Sequence, residues 1–422
     1  MSELSPRARK IYILLLALVL ALGIFLRLPS QAFSPGAALH EVVGLHPQAA
    51  FKEVGFDEGL YRRYVEALTI GGLSSYPDIV EGYIGAQEDL RGSILPPLRF
   101  LYIFVAYLWH SLFGSDALSA LHQVAAFFSI LTLGLATLFA WRLRGLPWAL
   151  GVGALMAVAP TQLHMSQHAL VDGFFTFWAL LVLWLLWENL HAPRDWRWLA
   201  GYIAGWTLLV LTKENSAFVW FGVVVLLVSA RWMQFGTVTR ELVVATFLGP
   251  LLGVVTLVFL AGGIDTLVHS YRLSVGKNFQ LEYAVLTGDG PWHRYLVDLM
   301  LVSPIVLVLA FGAVFRLDRT QKPELFLSIF VAATYLVMCN VKYGMNLRYT
   351  NMWDMPLRFL ALSFLIGLAA RLQRYRNIAL AVAIASLCAI ELRQYVVLAV
   401  HFPLYELVSE GLLRALKILK TP

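Results

Sequence analysis

Twelve apolar blocks run through this chain, at roughly 11–29, 95–113, 117–141, 146–164, 168–190, 198–212, 215–232, 241–261, 295–315, 324–340, 348–370 and 377–398. A membrane-crossing helix needs roughly 20 mostly apolar residues, and blocks of this length occupy most of the chain. In hydrocarbon the backbone must satisfy its own hydrogen bonds, which restricts such blocks to helices. A β-barrel shows short alternating segments instead. The 422 residues are 59% hydrophobic and 14% charged, with a mean hydropathy of +0.71. A soluble domain carries about 25% charged residues, so there is too little charge here for a water-facing surface. The sequence therefore predicts an all-α polytopic membrane protein of about 11–12 apolar helices. Soluble enzymes, collagens, disordered chains and disulfide scaffolds are excluded.

Charge then sets topology. The net charge of +6 reads as the bias of Lys and Arg toward cytoplasmic loops, not as a nucleic-acid footprint. Arg7, Arg9 and Lys10 precede the first block, which is long and lacks a small-residue cleavage site, so it reads as an uncleaved anchor. Arg142/Arg144, Arg194/Arg197, Arg231/Arg240, Arg316/Arg319/Lys322 and Arg371/Arg374/Arg376 mark short inside loops. The long polar stretches 30–94 and 262–293 are then both extracytoplasmic. Counting crossings between them leaves one block too many, and 95–113, with Pro96-Pro97, Arg99 and His110, is the one expected not to cross fully. Residues 1–400 read as a single transmembrane domain, and 401–422 as an amphipathic C-terminal tail. Cys339 and Cys388 lie in apolar blocks and form no framework.

No inside loop can hold a catalytic domain, and no glycine-rich phosphate loop follows a strand-like run. Chemistry must use the two outside stretches and the membrane face beneath them. In the first stretch, apolar or aromatic residues at 60, 61, 64, 65 and 68 give an amphipathic helix suited to the membrane surface. Asp57 and Glu58 open it. The plain reading makes Asp57 an N-cap and Glu58 a first-turn acid; the functional reading makes them a base and its orienting partner, with Tyr61 and Arg62 on the same helix. His168 and Asp172, four residues apart, project from one helical face at the mouth of a span. Lys213 interrupts an apolar stretch on the same side, either snorkelling to the interface or facing an anionic head group. Arg272, Lys277 and Arg348 are further cations on that side. The histidines lack an accompanying Cys or Glu ligand set, so no metal site is assigned, although a divalent ion is left open as a cofactor.

Taken in order, four pieces resemble the GT-C superfamily of glycosyltransferases that use polyprenyl-phosphate sugars. Asp57-Glu58-x-x-Tyr61 resembles the Asp-Glu pair of its first outside loop. Pro96-Pro97-Leu98 resembles its His-Pro-Pro-Leu, with Leu95 in place of His. Ser166-x-x-Ala169-x-x-Asp172 resembles its Ser-Arg-x-Ala-x-x-Asp, with Gln167 in place of Arg. Leu211-Thr212-Lys213 resembles its Leu-Thr-Lys. The match covers roughly 11–235, and the branch it resembles holds protein O-mannosyltransferases and the lipid A aminoarabinose transferase.

The resemblance implies inverting transfer at the outer face of the plasma (inner) membrane. The partners it implies are a polyprenyl-phosphate sugar donor, a lipid, glycan or protein acceptor, and membrane lipids; no nucleic acid is involved. Asp57 would serve as base with Glu58 orienting, Lys213 with Arg272, Lys277 or Arg348 would hold the phosphate, and Tyr61, His168 and Asp172 would line the pocket. Two other classes compete: a lipid or sugar flippase or secondary transporter, which should show related halves and mid-membrane polar sites, and an accessory subunit, which needs no convergence of acids and cations.

Overall fold

The computed structural model describes residues 5–48, 54–281, 284, 288–342, 345–402 and 404–407. Among these residues every regular element is a helix and there is no strand. The first span, α1 (Pro6–Phe25), is capped by Ser5, whose hydroxyl accepts the Ala8 N–H. Three helices follow in the first polar stretch and beyond it: α2 (Phe56–Gly71), α3 (Tyr76–Asp89) and α4 (Phe100–Phe113). Next come α5 (Ala117–Arg144), α6 (Leu146–Ala157), α7 (Pro160–Ser166), α8 (Val171–His191), α9 (Trp196–Val210) and α10 (Ser216–Met233). The remainder is α11 (Arg240–Leu260), α12 (Ile264–Asn278), α13 (Arg294–Val302), α14 (Pro304–Val314), α15 (Lys322–Met338), α16 (Asp354–Ala369) and α17 (Arg376–Tyr395).

Fewer of these are full spans than the apolar blocks suggest. Among the described residues six helical segments are long and apolar enough to cross a membrane: α1, α5, α8, α10, α11 and the run Leu347–His401 that contains α16 and α17. Counting α6 and α7 as one broken span gives seven. Proline explains much of the difference. Pro160 cannot continue α6, and the chain bends by 60° into α7; Pro304 likewise separates α13 from α14. At 14 residues, α4 is about 21 Å long, short of the roughly 30 Å hydrocarbon thickness. The chain is a multi-pass membrane protein.

Burial shows which helices are central. In α8, 78% of the most apolar stretch is covered by protein, against 6% in α1. The exposed stripe of α1, Ile11, Leu14, Leu15, Leu18 and Leu22, repeats at helical spacing, a surface that only lipid tolerates. Where α11 meets α9, Gly249 and Gly253 stand four apart. A Cβ on Gly253 would lie 2.9 Å from the Thr207 carbonyl oxygen, so the missing side chains permit the close approach.

The two polar stretches pack on each other at one end of the bundle. Lys277 on α12 donates to the Gln87, Glu88 and Leu90 carbonyls at the end of α3, and His269 Nε2 lies 3.0 Å from Glu88. The opposite end holds two ion pairs, Arg142–Glu188 at 2.7 Å and Arg144–Glu324 at 2.6 Å. Between the ends lies a polar network invisible to apolar patterning. Arg358 binds Asp354 and Glu391, both at 2.7 Å and all fully buried. Arg27 fills its donors with Ser129 and the Gly23, Met156 and Ala157 carbonyls. Replacing Arg358 with Met strands two buried carboxylates, which should cost about 3–5 kcal/mol. A thermal-unfolding scan of the detergent-solubilised variant should therefore show a markedly lower midpoint than the parent; an unchanged midpoint would remove the network from the account of stability.

Candidate active site

The site is built where α2 lies across the open ends of α4, α5 and α8. The face of α2 that the sequence marked as amphipathic is the buried one, with Leu60, Tyr61, Tyr64, Val65 and Leu68. It packs on protein, not lipid, because Tyr64 and the neighbouring Tyr76 reach the extended segment before α4. Tyr64 donates to the Leu95 carbonyl at 2.6 Å and Tyr76 to that of Pro97. Pro96 and Pro97 have no N–H to leave unpaired, so this stretch can lie under two tyrosines at little polar cost.

Gly55, not Asp57, caps α2. Its N–H donates to Glu58 Oε2 at 2.9 Å. The other Glu58 oxygen accepts the Ala169 N–H at 2.8 Å and lies 3.1 Å from His168 Nδ1. Burial pushes the Glu58 carboxyl up, but His168, by hydrogen bond and charge, and the Gly55 N–H outweigh it and hold the group at about 2. Glu58 is therefore a tether from α2 to the 167–170 bend, with both oxygens engaged. That bend corrects a second expectation. The residues between α7 and α8 are not helical, so His168 and Asp172 do not share a helical face. His168 turns to Glu58, while Asp172, in the first turn of α8, turns to Lys213.

The charges left over meet in one cluster. Lys213, in the break between α9 and α10, donates to Asp172 at 2.5 Å, and its ammonium lies 3.9 Å from the centre of the Tyr349 ring. Burial pulls this lysine down to about 8 against the charge of Asp172, and Arg99 adds to the pull. Arg348 spans the acids. It lies 3.3 Å from Asp57, 3.9 Å from Asp172 and 3.4 Å from Glu406. Arg99 holds Glu214 through two nitrogens, at 2.5 and 3.2 Å, and donates to the Tyr61 hydroxyl at 2.7 Å. Of the carboxylates Arg348 touches, Asp57 is the most open, its side chain 25% exposed.

Three expected residues are elsewhere. Arg62 pairs with Glu66 at 3.7 Å on the outer face of α2. Arg272 is exposed on α12. Lys277 is used up on the end of α3. They lie on helices at the same end of the bundle as the cluster, but their faces turn away from it. Sequence reasoning gave no site role to Arg99, Glu214 or Glu406, while Tyr349 stood beside Arg348 as a candidate. The one signal available was charge at the edge of an apolar block, which Arg99 and Glu214 both show. A metal fits poorly here. Among the described residues no group of three or more His, Cys, Asp or Glu side chains could hold one, and the guanidinium of Arg348 lies between Asp57 and Asp172.

No protein-family model matches the chain, and no curated protein matches it in sequence. Solved structures do. ArnT from Cupriavidus metallidurans, the lipid A aminoarabinose transferase, aligns in its apo state with a TM-score of 0.56 at 17% identity, over 92% of this chain and 76% of that one. The same protein bound to undecaprenyl phosphate gives 0.55 at 16% identity over the same shares. The Archaeoglobus fulgidus oligosaccharyltransferase tethered to an acceptor peptide gives 0.59 at 14% identity, over 91% of this chain and 55% of that one. This is the GT-C fold. At these identities the likeness to GT-C enzymes is one of architecture, and the present chain spans little more than half of the oligosaccharyltransferase.

Glu58 gives the arrangement a test. Its carboxyl is held below the ordinary glutamate value, so its stabilising effect is present above about pH 4.5 and is lost as pH falls toward 2. Glu58→Gln replaces one acceptor oxygen with a donor and should cost about 1–3 kcal/mol at neutral pH. The gap in unfolding midpoint between parent and variant should narrow as the solution is acidified below pH 4; a gap independent of pH would contradict the tether.

Proposed function

We propose that this protein is an integral membrane glycosyltransferase. It moves a sugar from a polyprenyl-phosphate donor to an extracytoplasmic acceptor with inversion, and Asp57 is the base. The observation that carries this reading is the Arg348 bridge: one guanidinium reaches both Asp57, the most open of its carboxylate partners, and the acid paired with Lys213. A proton acceptor and phosphate-binding cations thereby lie within one side chain's reach. The fold adds support, because one structure sharing it holds undecaprenyl phosphate and another an acceptor peptide.

In the reaction, an acceptor O–H or N–H group attacks the anomeric carbon from the face opposite the phosphate. The new bond forms as the carbon–oxygen bond to phosphate breaks, and polyprenyl phosphate leaves with the electron pair. Asp57 takes the proton. Arg348 and Lys213 face the charge that develops on the departing phosphate, in a site where burial makes each cation count for more than in water. Glu58, His168 and Tyr61 position α2 and with it Asp57, while Asp172 orients Lys213.

In cells lacking the parental copy, Asp57→Asn should express normally and bind undecaprenyl phosphate, yet form product at least about 10²-fold more slowly. Mass spectrometry of the cells' glycolipids and glycans reads this; parental product levels would overturn the assignment of Asp57. Lys213→Ala should weaken undecaprenyl phosphate much more than acceptor. Because the Lys213 ammonium loses its proton near pH 8, donor affinity should fall as pH rises from 7 to 9, and Lys213→Arg, which stays charged, should flatten that fall. An equally steep decline in the arginine variant would place the titrating group elsewhere.

A further inference from the structure

Beyond the helical run that ends at His401, residues 404–407 lie over the active-site cluster. The Leu404 N–H donates to the Leu398 carbonyl at 3.0 Å. The Tyr405 carbonyl lies 2.9 Å from His164 Nε2, and its ring stands edge-on to His168 with centroids 4.6 Å apart. The fit is close enough that a Cβ on Gly55 would strike the Tyr405 hydroxyl. Leu407 is buried. Between these contacts Glu406 reaches in, its carboxylate 3.4 Å from Arg348 Nε and 3.4 Å from the Asn346 amide nitrogen.

This contact matters because of the charge balance. Asp57, Glu58, Asp172, Glu214 and Glu406 outnumber Arg99, Lys213 and Arg348 even when His168, paired with Glu58, is counted with the cations, and each cation is already paired. A phosphate approaching that cluster meets an excess of acid. Asp57 and Asp172 are fixed on helices at the heart of the cluster, whereas Glu406 is on a short non-helical segment. Beneath it lies a small cavity, with room for about one water, whose lining includes Thr161, Arg348 and Asn351. The Asn351 amide is buried, and neither its nitrogen nor its oxygen has a hydrogen-bond partner among the described residues. A buried amide in that condition is costly unless something polar enters.

We propose that Glu406 is a built-in stand-in for the donor's phosphate, and that 404–407 is a strap which the lipid phosphate must displace from Arg348. The exchange swaps one anion for another, so the buried guanidinium is never left unpaired. It also opens the cavity and brings polar groups within reach of Asn351. A tethered carboxylate competes at high effective concentration, so a free anion is excluded, while a lipid phosphate gains from the membrane that delivers it. This inference rests on the proposed donor class.

The test uses the full-length protein in nanodiscs with undecaprenyl phosphate as ligand. Glu406→Gln keeps the size of the side chain but removes the charge, and should bind that lipid roughly fivefold or more tightly, since the competent state no longer has to be won from the strap. Glu406→Ala guards against a new hydrogen bond from the amide and should do the same. In the parent, hydrogen exchange at the Leu404 amide should accelerate when undecaprenyl phosphate is added and stay unchanged with inorganic phosphate. Lipid binding that depends on Lys213, with no gain in either Glu406 variant and no change in exchange, overturns the strap and leaves the proposed function standing. Absence of undecaprenyl phosphate binding in both parent and variants overturns both. Release of the strap by inorganic phosphate as complete as that by the lipid overturns the lipid-selective displacement proposed here.

Discussion

A lysine and an arginine buried at the end of a membrane bundle are expensive unless carboxylates meet them, and the architecture around Asp172 follows from that requirement. Lys213 comes from the break between α9 and α10, Asp172 from the first turn of α8, and Arg348 from the segment that leads into α16. None of the three could be left there alone. Joined, they tie three separated stretches of chain to one point, and α2 is added through the Asp57–Arg348 contact. The Arg99–Glu214 pair repeats the device one step away, joining the start of α4 to the same break that carries Lys213.

How much of this could be read from sequence depended on whether the cause was local. The buried face of α2 was legible residue by residue, because amphipathic spacing is a property of the helix itself. The membrane class was legible for the same reason. The break at 167–170 was not. It contains neither Gly nor Pro, and what stops the helix is tertiary: the Ala169 N–H donates to Glu58 Oε1, more than a hundred residues away in sequence. Asp57 illustrates a related limit. Its position near a helix start suggests a cap, yet Gly55 takes that role with Glu58, which leaves the aspartate free for Arg348. The cations of the second polar stretch share an end of the bundle with the cluster but not its place, since side-of-membrane reasoning is silent about helix face and Lys277 is consumed by the carbonyls of α3. The interior network of Arg27, Arg358, Asp354 and Glu391 was hidden by its apolar surroundings, where an average over a window dilutes single charges.

The same logic fixes how α8 sits in the bundle. Asp172 and Glu188 stand near opposite ends of α8, sixteen residues and thus about 24 Å apart along the axis. Each is paired with a cation from another element, Lys213 at one end and Arg142 at the other. Sliding α8 by a single turn would pull one carboxylate off its partner and drive the other toward hydrocarbon, at a cost of several kcal/mol. The helix is therefore pinned at both boundaries, and everything attached to its first turn is pinned with it. Under the proposed function, a cluster held in this way at one end of a membrane-crossing helix is where a phosphate carried on a membrane-embedded tail arrives.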